Sequence, residues 1–107
     1  METLVNLFKS LGEETRIRIF HLLLYYRALS VGDLEKILNI SQTNVSRHLA
    51  VLKNGNLVSR RKSGNFAIYQ VNSGLSENFL DEFKNMAQEY IQLRSDLKSA
   101  REYLPIS

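Results

Sequence analysis

Apolar residues recur at helical spacing from the first turn of the chain. Leu4, Leu7, Phe8 and Leu11 share one face of a segment from Thr3 to Leu11, and Gly12 ends it. From Glu13 onward, the run Thr15 to Leu24 is too long and too apolar for a surface helix, which predicts the buried central helix of a domain. Ser30, with Asp33 three residues on, caps a short helix through Leu38 whose Leu34, Ile37 and Leu38 face inward. Asn39-Ile40 form a tight turn and Ser41 caps the next helix, where Val45, Leu49 and Leu52 follow i, i+4, i+7 and bury one face. Asn54-Gly55-Asn56 stop it, because Gly and Asn tolerate the left-handed backbone of a helix C-terminus. Two short runs, 57–62 and 66–71, flank Ser63-Gly64-Asn65 and predict a β-hairpin.

The last segment is the most regular. Phe79, Phe83, Met86, Tyr90, Leu93, Leu97, Ala100 and Leu104 are spaced 4, 3, 4, 3, 4, 3, 4, a heptad seam, with Pro105 ending it. Leu80, Ala87 and Ile91 widen the stripe. As one helix over 76–104 it presents an apolar stripe roughly 39 Å long, at 1.5 Å per residue. A domain this small cannot cover that stripe, so the expectation is a homodimer through the first and last helices. Its contacts would be Leu4, Leu7, Phe8, Phe83, Met86, Tyr90, Leu93 and Leu97. The fold class is mainly α with a small β-hairpin, in the order helix, helix, helix, helix, strand, strand, helix: a winged helix-turn-helix.

The 107 residues suit one domain, 1–107, and leave too little interior for a second. No apolar run reaches the length of a membrane span, and Met1-Glu2-Thr3 opens no recognisable signal peptide, so a cytoplasmic location is expected. The absence of cysteine excludes disulfides, thiolate metal sites and cysteine nucleophiles.

Charge sharpens the picture. Residues 37–76 contain no Asp or Glu but carry Arg47, Lys53, Arg60, Arg61 and Lys62, a charge of +5, while the rest of the chain sums to −2. Mainly opposite the apolar face of the helix capped by Ser41 lie Gln42, Thr43, Ser46, Arg47, Ala50 and Lys53. Duplex DNA needs such a surface, since phosphates supply attraction and base edges supply donors and acceptors. The expected DNA contacts are Ser41, Gln42, Thr43, Asn44, Ser46, Arg47 and Lys53, with Arg61, Lys62 and Asn65 from the hairpin. Strand alternation keeps Arg60 and Arg61 from reaching DNA equally. The bland alternatives are a solvated helix face and a strand edge whose cations block aggregation.

The other titratable groups read as structural. Glu13-Glu14 complement the macrodipole of the helix they open. His21 lies in the apolar central helix as a packed residue, and His48 makes a helix-packing or phosphate contact. Tyr25-Tyr26, Tyr69 and the aromatics of the last helix read as core. Asp33, Asp81, Glu82, Glu89 and Asp96 offer oxygen ligands for a carboxylate-held metal, but acids on exposed helix faces are usually just solvated. No catalytic constellation or glycine-rich phosphate loop appears, so neither an enzyme nor a cofactor is expected.

Three motifs in order then point to a family. Leu7-Phe8-Lys9-Ser10-Leu11-Gly12, with Arg16 and Ile19, resembles the opening of the ArsR/SmtB-type bacterial transcriptional repressors. Ser41-Gln42-Thr43-Asn44-Val45-Ser46-Arg47-His48-Leu49 is similar to that family's Ser-x-x-x-Val-Ser-x-His-Leu recognition helix. Leu57-Val58, Arg61-Lys62-Ser63-Gly64 and Tyr69 resemble its wing, so the likeness spans residues 4 to 72. Where metal-sensing members carry Leu-Cys-Val-Cys-Asp-Leu, this chain has Leu29-Ser30-Val31-Gly32-Asp33-Leu34, and the last helix has no histidine. The resemblance thus implies DNA binding without the usual metal sites. The resulting expectation is a dimeric, sequence-specific repressor on an inverted-repeat double-stranded operator, with room for an effector of unidentified chemistry. The alternative is a winged-helix protein-interaction module that does not bind DNA.

Overall fold

The computed structural model describes residues 1–105. Six helices and a small sheet succeed one another as α1 (Glu2–Leu11), α2 (Glu14–Tyr25), β1 (Leu29–Ser30), α3 (Val31–Leu38), α4 (Gln42–Asn54), β2 (Val58–Ser63), β3 (Phe66–Val71), α5 (Glu77–Ala87) and α6 (Ile91–Tyr103). The mainly helical winged helix-turn-helix is therefore present. α2 is its buried centre: Ile19, Phe20 and Leu22 are fully enclosed, and the Phe20 ring meets Phe83 edge-on at 5.1 Å between centroids.

Local chemistry sets most boundaries. Glu13 caps α2, its carboxylate accepting the Arg16 backbone N–H at 3.1 Å. Ser30 and Asp33 close a reciprocal capping box on α3, and Asn39 ends that helix in the left-handed conformation, φ 55°. The Ser41 hydroxyl accepts the Asn44 N–H and starts α4.

α4 stops at Asn54 as expected, and the left-handed residue of the stop is the asparagine rather than the glycine. Asn56 takes the left-handed backbone at φ 62°, while Gly55 stays at φ −83°. Gly55 is needed for space instead: a Cβ there would lie 2.7 Å from Ser10 Cβ, so its missing side chain is what lets α1 lie against α4.

The sheet has three strands rather than two, in the order β1-β3-β2. β1 pairs Leu29 with Tyr69 and Ser30 with Ile68. A two-residue strand carries no periodicity of its own, and only the exposed edge of β3 makes it one.

The terminal segment departs most from its pattern. The expected single helix over 76–104 breaks at Gln88–Tyr90, where Tyr90 is extended at φ −105°, ψ 119°, and α6 packs back over α2 and α3. Phe83 and Leu93 are buried within the monomer, and Leu7 and Leu97 are half-buried against its core. These four expected dimer contacts are therefore largely consumed inside the chain. Leu4, Phe8, Met86 and Tyr90 remain exposed. Folding back buries Leu93 and Ala100 within the chain itself.

Two further assignments change. Asp96 is not a solvated acid: it is 2 % exposed and bound to Arg18. Tyr25 is exposed, with Lys84 Nζ 5.4 Å from its ring centre, whereas Tyr26 and Tyr69 pack against the core. Among the described residues no helix is long and apolar enough to cross a membrane.

Candidate nucleic-acid interface

The candidate surface is built on α4. At 100° per residue, Val45, Leu49 and Leu52 point into the core, which turns Thr43, Arg47 and Ala50 directly outward. Gln42, Ser46 and Lys53 line one flank of this outer face, and Asn44 lies on the other. Ser41, Gln42, Thr43, Asn44, Ser46, Arg47 and Lys53 are all exposed. The Arg47 guanidinium donates to Asn44 Oδ1 at 2.9 Å, which holds the cation over the first turns of the helix. Lys53 stands eleven residues beyond Gln42, roughly 16 Å along the axis at 1.5 Å per residue, so it belongs to the far end of the surface.

The hairpin β2–β3 projects as a wing. Its two-residue turn needs Gly64 at φ +63°, followed by Asn65 at negative φ, the order of a type II′ turn. Arg60, Arg61, Lys62 and Asn65 are exposed. Register separates the cations: Arg60 faces Tyr69 and Lys62 faces Ala67 across the ladder, while Arg61 faces Ile68 from the opposite side. Arg61 Nε also donates to Gln70 Oε1 at 3.4 Å. Arg61 and Lys62 thus lie on opposite faces of the strand and are not a single patch.

Behind the outer face lies a cluster that sequence reading missed. Arg16 Nε donates to the Ser10 carbonyl at 2.6 Å and its Nη1 lies 3.3 Å from His48 Nδ1, while Glu13 Oε2 is 3.6 Å from the same nitrogen. The ends of α1 and α2 are thereby tied to the inner side of α4. His48 is a packing residue, its side chain 14 % exposed. Burial pushes its imidazole below the usual value of 6.5, Glu13 opposes that, and Arg16 and Arg47 add to it. Burial pushes the Glu13 carboxyl up, yet N–H donation from Thr15 and Arg16 and the charges of His48 and Arg16 outweigh it and hold it below 4.5. No sequence signal marks this cluster, because Arg16 and His48 are 32 positions apart.

His21 is buried as expected, with Nδ1 unpartnered and its ring edge-on to Tyr25. The metal positions of the resembled family do not fit here. Ser30 Oγ is engaged by the Asp33 N–H, Gly32 has no side chain, and the described residues contain no grouping of three His, Cys, Asp or Glu side chains.

Comparison with known proteins identifies the family. The model for the arsR family of bacterial regulatory proteins matches residues 13–60. Over 91 residues the chain is 36 % identical to the arsenical resistance operon repressor of Escherichia coli (strain K12), spanning 82 % of this chain and 78 % of that one. Reduced HlyU from Vibrio cholerae N16961 shares 32 % identity at a TM-score of 0.70, over 85 % of this chain and 92 % of that one. HlyU is a transcriptional activator. A homodimeric winged helix-turn-helix DNA-binding domain, Mb0332 from Mycobacterium bovis, shares the fold at a TM-score of 0.72 and 22 % identity, over 84 % and 82 % of the two chains. With α4 and the wing presenting a cationic, acid-free surface, the chain belongs to the arsR family of bacterial regulatory proteins, a DNA-binding transcriptional regulator rather than an enzyme.

Proposed function

We propose that the chain acts as a homodimeric repressor in the cytoplasm, placing two copies of α4 in successive major grooves of an inverted-repeat operator. The observation that carries this reading is the outer face of α4, where Gln42, Thr43, Ser46 and Arg47 are exposed amid forty acid-free residues. In helix-turn-helix proteins the N-terminal part of such a helix meets base edges, and a two-fold protein reads half-sites one helical turn apart. Gln42 suits adenine, Arg47 guanine or a phosphate, and Ser46 either partner. Lys53 and the wing, with Arg61, Lys62 and Asn65, are assigned to backbone phosphates. Their exposure supports that assignment.

Dimerisation is supported by apolar side chains that the monomer leaves in water: Leu4 53 %, Phe8 57 %, Met86 59 %, Tyr90 62 % and Ile91 75 % exposed. Isolated exposed apolar residues are ordinary, but clustered ones mark interaction sites. The E. coli relative is a repressor and HlyU an activator, so the sign of regulation is tested rather than inherited.

The test is selection of bound sequences from random duplexes, followed by titration of the selected site against salt. A two-fold-symmetric motif and a steep linear fall of log affinity with log salt are expected. An asymmetric site bound by a monomer, or a flat salt response, sinks the proposal.

A further inference from the structure

A solvent-open cleft of about 540 Å³ lies between the start of α2 and the corner where α5 meets α6. That volume is within the range of small-molecule sites, about 300–1,000 Å³. Its wall is mainly apolar and includes Ile17, Phe83, Met86, Tyr90 and Leu93, of which Met86 and Tyr90 are also two of the exposed side chains put forward above for dimer contact. Three charged side chains also line it: Glu13, Glu14 and Arg18. Arg18 is neutralised by its bidentate contact with Asp96, and Gln92 donates a third hydrogen bond to that carboxylate. Among the described residues neither Glu13 nor Glu14 forms an ion pair with Lys or Arg. The cleft therefore combines an apolar body, two aromatic rings and the Glu14 carboxylate, while the Glu13 carboxylate at its edge already faces the α2 N–H groups, Arg16 and His48.

Such a wall selects its occupant. An anion meets like charge from Glu14, and a compact hydrated cation gains nothing from the rings. A large organic cation satisfies both, through apolar contact, cation–π attraction to Phe83 and Tyr90, and the Glu14 carboxylate. Glu13 also belongs to the cluster behind α4, 3.6 Å from His48. A cation drawing Glu13 into the cleft competes with that contact and with the cap on α2.

We propose that this cleft is an effector site for a lipophilic cation, read out by α4 through Glu13 and His48. The read-out rests on the regulator reading above, whereas the site itself does not. Reciprocity requires that a cation which weakens DNA binding is itself weakened by DNA.

The test compares two ions of equal size and shape and opposite sign, tetraphenylphosphonium and tetraphenylborate, by calorimetry on the full chain without DNA. The cation should bind one per chain, about tenfold tighter than the anion, although the protein's net charge of +3 favours the anion. Glu14→Gln should lose several-fold in cation affinity, while Glu102→Gln, outside the cleft, should not. With duplex present, the cation should lower DNA affinity about tenfold, and His48→Gln should abolish that effect while retaining cation binding. Equal or tighter binding of tetraphenylborate overturns the proposal. So does exclusion of both ions from the dimer, which would show that a second copy fills the cleft. Cation binding that leaves DNA affinity unchanged overturns the read-out. A chain that binds no duplex overturns the regulator reading, and the ion comparison still decides the cleft.

Discussion

Arg18 and Asp96 stand 78 positions apart in the chain and meet side by side, Nε to Oδ2 at 2.9 Å and the terminal nitrogen to Oδ1 at 3.0 Å. The aspartate side chain is 3 % exposed and the arginine 17 %. This pair locks α6 onto α2, and the hydrogen bond holds the guanidinium above its already high value. Removing one partner strands the other charge. Asp96→Ala is expected to cost about 3 kcal/mol, the low end for a broken buried pair because Arg18 keeps some water. Asp96→Asn, retaining one acceptor, should cost less, and Arg18→Met with Asp96→Leu should recover most of the loss. Urea midpoints check this, and additive losses in the double variant would contradict it.

Acid should weaken the fold. Burial pushes His21 below 6.5, with Asp96 opposing, and His48 and Glu13 are also held low. The unfolded chain therefore binds these protons more readily than the folded one. Stability is complete above pH 6.5 and is lost as pH falls through that value toward the folded histidine values, and Glu13 adds a further loss below 4.5. Each differentially bound proton contributes at most about 1.4 kcal/mol per pH unit. His21→Leu should flatten the decline between pH 7 and 5. An unchanged decline in that variant would remove His21 from the account.

The α1–α4 contact should be intolerant of a single methyl. Gly55→Ala places a Cβ against Ser10 Cβ, and overpacking of this kind costs about 1–3 kcal/mol. Adding Ser10→Gly should return part of the loss, since the two positions share one space. A neutral Gly55→Ala, measured by thermal unfolding, would show that α1 shifts freely.

On DNA, the two cationic groups should behave differently. Arg47→Ala is expected to cost about 1–3 kcal/mol and to blur sequence preference, while Lys62→Ala weakens all sequences alike and lowers the salt slope by about 1. If both variants bind the selected operator like the parent, the contacts lie elsewhere.

Helix caps and the exposed polar face of α4 were legible before any coordinates, because each depends on residues a few positions apart. Ser30 with Asp33, Ser41 with Asn44, and the outer face of α4 are local statements of chemistry and periodicity. The heptad seam was equally regular and misled: its period states which residues want burial, not what will bury them. No glycine or proline marks the break at Gln88–Tyr90, since the fold-back is decided by what α6 finds on α2 and α3.

By itself, the order of residues determined the first four helices, the wing with Gly64 at its turn, and the acid-free cationic stretch around Arg47. Only the tertiary structure decided where α6 lies, that Asp96 is a buried partner of Arg18, that β1 exists, and that Glu13, Arg16 and His48 gather behind α4. The reason is distance along the chain: caps and periodicities act within a few residues, whereas these contacts join residues tens of positions apart, and no local pattern records which of them will meet.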